Sequence, residues 1–168
     1  MQQKIQFIAT VIHQPKLLIL DEPFSGLDPI NTNLIKAEID EMHRKGTSII
    51  FSTHRMEQVE EVCEHIVLIS NGKKILEGPV EQIKDQFKDN LFKITYAGEL
   101  PTDTDAMAAA NDGFKIVEKT QGTITVQVSD ATASNQLLNY LMQHGVQIHS
   151  FNEILPTLNE IFIRQVGE

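Results

Sequence analysis

The sequence predicts an α/β fold in two parts: parallel strands with helices and a hairpin, then a small α+β domain with a split βαβ-like sheet. Three observations carry this. Leu17-Leu18-Ile19-Leu20 is an apolar run closed by Asp21-Glu22-Pro23, the signature of a buried parallel strand with acids at its carboxyl end. A second apolar strand, Ser48 to Ser52, follows after a stretch with helical periodicity. From residue 91 the apolar period falls to two, in short runs broken by Gly and polar residues.

Met1 to Gln14 reads as a helix, with Ile5, Ile8, Ala9 and Ile12 at helical spacing. Gln14-Pro15 ends it, because proline has no N–H and biases the residue before it away from helix. Side chains alternate along the Leu17 strand, so Asp21 and Glu22 should point to opposite sides. One can then hold a metal while the other faces a reacting water; taken alone, the pair could equally be solvated acids capping a core strand. Pro29-Ile30-Asn31-Thr32 is a helix entry with Asn31 or Asp28 as cap. Leu34, Ile35, Ile39 and Met42 form the apolar face of that helix, and Gly46 terminates it. Ser48 to Ser52 is a second buried strand ending at Thr53-His54.

A helix through Met56, Val59 and Val62 follows, with Glu57, Glu60, Glu61 and Glu64 as its wet face. Ile66 to Ile69 and Lys74 to Glu77 flank Asn71-Gly72, the dipeptide that favours a tight hairpin turn. Gly78-Pro79 breaks the second strand, and Val80 to Phe87 is a short amphipathic helix. The pattern changes around Lys88-Asp89-Asn90. Leu91 to Tyr96 alternates as a strand, Ala106 to Ala110 could be a short helix, and Phe114 to Lys119 with Thr123 to Val128 form a hairpin across Gln121-Gly122. Ala133 to His144 is helical through Leu137, Leu138, Leu141 and Met142; Val146 to Phe151 is a strand; Thr157 to Gln165 is a last helix with Leu158, Ile161 and Phe162 inward. His144, His149 and Asp130 are scattered and read as structural or solvated.

Apolar content of 41% and charged content of 22% are ordinary for a globular chain. No apolar run approaches the roughly 18–20 residues that span a bilayer, and Met1-Gln2-Gln3-Lys4 opens without a signal peptide pattern. The lone Cys63 rules out an intramolecular disulfide, fits a reducing cytosol and reads as packing. A net charge of −9, with 10 Lys/Arg against 14 Asp/Glu in residues 1–89 and 4 against 9 after them, provides no basic stripe for a nucleic acid.

The strand, the acid pair, Ser25-Gly26-Leu27-Asp28, the second strand and His54, 32 residues past Glu22, occur in an order of high specificity. Residues 1 to 88 resemble the C-terminal half of an ATP-binding cassette (ABC) ATPase domain. The resemblance implies a truncated ABC-type P-loop NTPase half, followed at 89–168 by an accessory C-terminal α+β domain. It implies that Leu17 to Asp21 is the Walker B strand and that Asp21 reaches the Mg²⁺ of bound ATP. Glu22 would be the general base, Ser25, Gly26, Leu27 and Asp28 the D-loop, and His54 the switch histidine on the γ-phosphate. Met1 falls on the last position of the signature sequence, where glutamine is common. The Walker A pattern Gly-x-x-x-x-Gly-Lys-Ser/Thr does not occur in the sequence, so the chain alone is expected to be inactive, as a truncation or fragment would be. Leu155 to Phe162 resembles the "P-S/T-L-E-E-I-F" close of subunits that drive exporters, with Asn159 in place of an acid.

The implied partners are a second ATP-binding subunit, paired head to tail, and a separate transmembrane permease. The implied location is cytoplasmic, on the inner face of the membrane and without insertion into it. A non-enzymatic alternative is that residues 89–168 form a regulatory or dimerisation module. An ABC ATPase of chromosome organisation or DNA repair would share the Walker B strand, but its DNA-facing surface should be basic. The missing Walker A strand would leave open backbone edges, which the sequence predicts are closed by pairing of the Ile66 strand with the Ser48 strand or by self-association.

Overall fold

The computed structural model describes residues 2–101 and 113–167. The helix expected at Ala106 to Ala110 and the signature position Met1 lie outside them. The described elements are α1 (Gln2–Val11), β1 (Leu17–Asp21), α2 (Pro29–Arg44), β2 (Ser48–Ser52), α3 (Met56–Val62), β3 (His65–Ser70), β4 (Lys73–Pro79), α4 (Val80–Gln86), β5 (Leu91–Ala97), β6 (Phe114–Thr120), β7 (Thr123–Val128), α5 (Ala131–Gln143), β8 (Gln147–Ile154) and α6 (Leu158–Val166). They form two compact units, residues 1–66 and 67–168. This division of packing falls earlier in the chain than the change of sequence pattern at 88/89.

In the first unit β1 and β2 run parallel, in register from Leu17 opposite Ser48 to Asp21 opposite Ser52. Two contacts outside the ladder set that register: Ser48 N–H donates to Lys16 O at 2.9 Å and Thr47 Oγ1 to Pro15 O at 3.1 Å. Asp28 caps α2, accepting from Asn31 N–H at 3.0 Å, which settles the choice between Asp28 and Asn31. Gly46 follows the helix at φ 95°, a conformation without penalty for glycine. Ile35 and Ile39 of α2 are buried with Phe24, and Phe7, Leu20, Leu27, Ile49, Phe51 and Val62 pack against them.

Burial here is one-sided. Leu18 is buried, but Leu17 is 51%, Ile19 68% and Ile50 58% exposed, so β1 and β2 are not the fully buried strands that four consecutive apolar residues suggest. In α1 the residue packed on the core is Phe7, while the stripe Ile5, Ile8 and Ile12 faces out; Leu34 of α2 is also exposed. The physical reason is common to all: these residues lie on faces that no element of the unit covers. Among the described residues β2 has β1 as its ladder partner and β3 has β4, so the expected closure of the Ile66 strand on the Ser48 strand does not occur.

The second unit begins within β3, which forms a hairpin with β4 turned at Asn71 (φ 49°) and Gly72 (φ 72°). Two successive positive φ values make the turn whose twist matches the strands, which is why Asn-Gly marks it. Beyond α4 lies a sheet in the order β6-β7-β5-β8. β5 is antiparallel to both β7 and β8, so those two are parallel to each other, joined through α5 and separated by β5. This is the expected split βαβ. One sheet face carries Ile94, Tyr96, Ile124, Val126, Val128 and Phe114, all buried against Ala133, Leu137 and Leu141 of α5. Asp130, read from sequence as structural or solvated, caps α5 by accepting from Ala133 N–H at 2.8 Å. Phe92 and Phe151 stack with centroids 4.7 Å apart.

Thr157 and Glu160 form a reciprocal capping box at the start of α6. Near its end, Arg164 grips Asp89 through both guanidinium ends, at 3.2 and 2.6 Å. That hydrogen-bonded cation holds the Asp89 carboxyl below its ordinary 3.8. An acid whose pKa is depressed by folding stabilises the fold above its unfolded pKa and loses that contribution as pH falls through the folded value. Arg164→Ala is therefore expected to lower the melting temperature at pH 7 by about 1–2 °C, since the pair is half exposed. The difference from the parent should shrink as pH drops below 3.8. Thermal melts across that range check it; a difference independent of pH would rule the pair out.

Candidate functional site

The site is built where β1 and β2 end side by side. Asp21 and Ser52 are ladder partners, and Ser52 Oγ donates to Asp21 Oδ1 at 2.6 Å. One residue further on, Glu22 N–H still donates to Ser52 O at 2.9 Å. Glu22 then leaves the strand in the left-handed region, at φ 46°. Phe24 holds the turn that follows: it is buried, meets Phe51 edge to face at 5.9 Å, and carries Lys36 Nζ over its ring at 5.5 Å. The turn closes with Ser25 N–H donating to Glu22 O at 3.1 Å.

This conformation turns the Glu22 carboxylate onto the segment after β2. Oε1 accepts from His54 N–H at 2.9 Å and lies 2.6 Å from His54 Nδ1; Oε2 accepts from Thr53 Oγ1 at 3.0 Å. Thr53 is itself fixed, because its oxygen accepts from Arg55 N–H at 3.1 Å. These donors, the His54 backbone N–H above all, hold the Glu22 carboxyl below its ordinary 4.5, against partial burial. An apolar strand behind Glu22 suggests the opposite, a raised pKa. The correction is physical: three donors that favour the carboxylate outweigh the desolvation of a side chain still 30% exposed.

The structure thus brings Glu22 and His54 into contact, with Asp21 beside Glu22 in the chain and bonded to Ser52. The four residues Ser25, Gly26, Leu27 and Asp28 are divided in use. Ser25 and Gly26 form the turn, with Gly26 at φ 69°. Leu27 packs on the Phe24 cluster. The Asp28 carboxylate is engaged by Asn31, whose backbone N–H keeps its pKa low. Sequence reading missed Ser52, Thr53 and Phe24. The available signal was the match of two adjacent hydroxyls at the carboxyl end of β2 with two adjacent acids at the carboxyl end of β1.

Among the described residues no cluster of three or more His, Cys, Asp or Glu side chains could hold a metal ion. A cation at Asp21 would have one carboxylate from this chain, with Ser52 on one oxygen and the other open. That suits Mg²⁺, which commonly takes one or two carboxylates and completes its shell with phosphate oxygens and water. No helix among the described residues is long and apolar enough to cross a membrane.

The family described as "ATP-binding protein DrrA1-3-like, C-terminal domain" matches residues 78–166, and "AAA domain, putative AbiEii toxin, Type IV TA system" matches residues 1–59. An uncharacterized ABC transporter ATP-binding protein of Alkalihalophilus pseudofirmus is 40% identical over 166 residues, covering 99% of this chain and 60% of that protein. The uncharacterized ABC transporter ATP-binding protein YhaQ of Bacillus subtilis is 39% identical over 166 residues, covering 99% and 54%. Daunorubicin resistance ATP-binding protein DrrA2 of Streptomyces coeruleorubidus is 24% identical over 170 residues, covering 99% and 53%. A solved structure described as "Structure of ATP binding subunit of ABC transporter" is similar at a TM-score of 0.42 and 36% identity, covering 44% of this chain and 31% of that one. The chain spans between about half and 60% of the length of these curated relatives.

Proposed function

This chain belongs to the DrrA1-3-like family of ABC transporter ATP-binding proteins, and from that premise we propose that it supplies the hydrolytic half-site of a transporter's ATPase subunit. The observation that carries the reading is the contact of Glu22 with His54 beside Asp21 at the end of β1. Residues 1–88 are then the Walker B to switch-histidine part of the ATPase domain, and 89–168 the accessory domain. The relative named for daunorubicin resistance favours an exporter. Its ATPase subunits would pair head to tail, with Ser25 to Asp28 at their interface, and would dock from the cytoplasm on a separate permease.

Each side chain has a task in phosphoryl transfer, which is mostly positioning and charge neutralisation. Asp21 would hold Mg²⁺, which when bound neutralises charge on the phosphates. Glu22, ionised at neutral pH, accepts a hydrogen bond from the attacking water and aligns it. His54 has its Nδ1 on Glu22, so Nε2 is the nitrogen left for a phosphate. A neutral imidazole that donates from Nδ1 has only an acceptor at Nε2. Donation to phosphate therefore requires the imidazolium, or release of Nδ1 from Glu22.

The sequence has no Gly-x-x-x-x-Gly-Lys-Ser/Thr to cradle phosphates. The chain alone is expected to show no tight Mg-ATP binding and negligible hydrolysis. Isothermal titration with Mg-ATP tests this, and micromolar affinity would show that the chain holds a complete site.

A further inference from the structure

Two adjacent hydroxyls face two adjacent acids. The parallel register places Ser52 opposite Asp21, and its Oγ donates to Asp21 Oδ1 at 2.6 Å. The next residue, Thr53, donates from Oγ1 to Glu22 Oε2 at 3.0 Å. The Thr53 hydroxyl has a second acceptor in reach, Gln58 Oε1 at 3.4 Å, but one proton serves one acceptor and the shorter, charged one wins. One of its two lone pairs is taken by Arg55 N–H at 3.1 Å, which helps orient it toward Glu22.

We propose that Ser52 and Thr53 are a pair of positioning residues, Ser52 for the metal-facing carboxylate of Asp21 and Thr53 for the water-facing carboxylate of Glu22. The inference rests on the ATPase reading above and assigns the pair separate duties. Ser52 occupies one oxygen of Asp21, which fixes the rotamer and leaves Oδ2 as the oxygen presented to a cation. Thr53 closes the third hydrogen bond on Glu22, the other two coming from His54. With Oε2 tied by a side chain and Oε1 by the loop, the carboxylate has one orientation. Loss of an outer partner of this kind commonly costs about 10–100-fold in metal affinity or activity.

The test has two parts. In this chain, amide hydrogen exchange is measured at His54, whose N–H donates to Glu22. Thr53→Val should speed exchange there severalfold because Glu22 is freed on one side, while Thr53→Ser and Ser52→Ala should leave it near the parent rate. In the full-length subunit, Thr53→Val should lower kcat about tenfold with KM for ATP and the Mg²⁺ requirement unchanged, and Thr53→Ser should restore it. Ser52→Ala should instead raise the Mg²⁺ concentration at half-maximal rate about tenfold. Equal behaviour of Thr53→Val and Thr53→Ser, or a shared effect of Thr53→Val and Ser52→Ala on every parameter, would overturn the proposal. Glu22→Gln and Asp21→Asn separate the two levels. If both keep near-normal turnover the ATPase reading fails; if both abolish it and the hydroxyl variants do nothing, the positioning proposal alone fails.

Discussion

Glu22→Gln in the full-length subunit is expected to lower ATP turnover by at least about 10²-fold while ATP still binds, the range lost with a positioned general base. Glutamine keeps the length and planarity of the side chain and one carbonyl oxygen. That oxygen can still accept from His54 N–H, which Glu22 does at 2.9 Å. What is lost is the negative charge, and with it the second acceptor for Thr53 and the capacity to draw a proton from water. On the proposed reading the phosphates are gripped by groups other than Glu22, so affinity should hold. A change in kcat without a change in ATP affinity is the signature of an interaction made in the transition state. Single-turnover hydrolysis with equilibrium binding of a fluorescent ATP analogue measures both. Near-normal turnover would remove Glu22 from the role of base.

On the proposed reading, the low pKa of Glu22 shapes how that base would work. A carboxyl held below 4.5 is fully ionised at neutral pH, so it is always ready to accept, yet its thermodynamic pull on a proton is weak. Its proposed work is then chiefly to orient the water.

What was legible in the sequence depended on how local its cause was. Asn71-Gly72 and Gly46 announce their turns because only certain residues tolerate positive φ, and the turns stand where the sequence places them. The alternating strands of the second unit, and the split βαβ order, follow from a period-two pattern that one helix covers. Burial in the first unit was less legible. Ile5, Ile8 and Ile12 carry the helical stripe, but Phe7 reaches the core; the period identifies a helix without saying which face finds a partner. The site was legible as a motif but not as a geometry. Asp21, Glu22 and His54 could be named through the family resemblance, whereas the sign of the Glu22 shift could not. It depends on the Glu22 carboxylate meeting the backbone N–H of His54, and the left-handed conformation of Glu22, at the start of the turn in which Phe24 packs on Phe51, directs it there.

Leu137→Ala is expected to destabilise the second unit by about 2–5 kcal/mol, the usual cost of emptying a well-packed leucine site. Leu137 is fully buried at the centre of α5, within the cluster formed by Ile94, Ile124, Val126 and Leu141. Leu137 is enclosed by fully buried neighbours from both the sheet and the helix, so the cavity has little room to collapse and the cost should sit above the lower bound. For a unit of about 100 residues this corresponds to a fall of at least about 8 °C in melting temperature. The chain carries its own reporter: it has two tyrosines and no tryptophan, and Tyr96 is buried in this cluster while Tyr140 packs against it. Tyrosine fluorescence therefore follows the second unit, and far-UV dichroism follows the whole chain. Leu137→Ala should move the tyrosine transition strongly. Met142→Ala, on the same helix but with its side chain 53% exposed, should move it little. If residues 67–168 unfold as one body, the dichroism trace of Leu137→Ala should gain an early step that coincides with the tyrosine signal. A Leu137→Ala transition within about 2 °C of the parent would mean that α5 is not packed on the sheet as described.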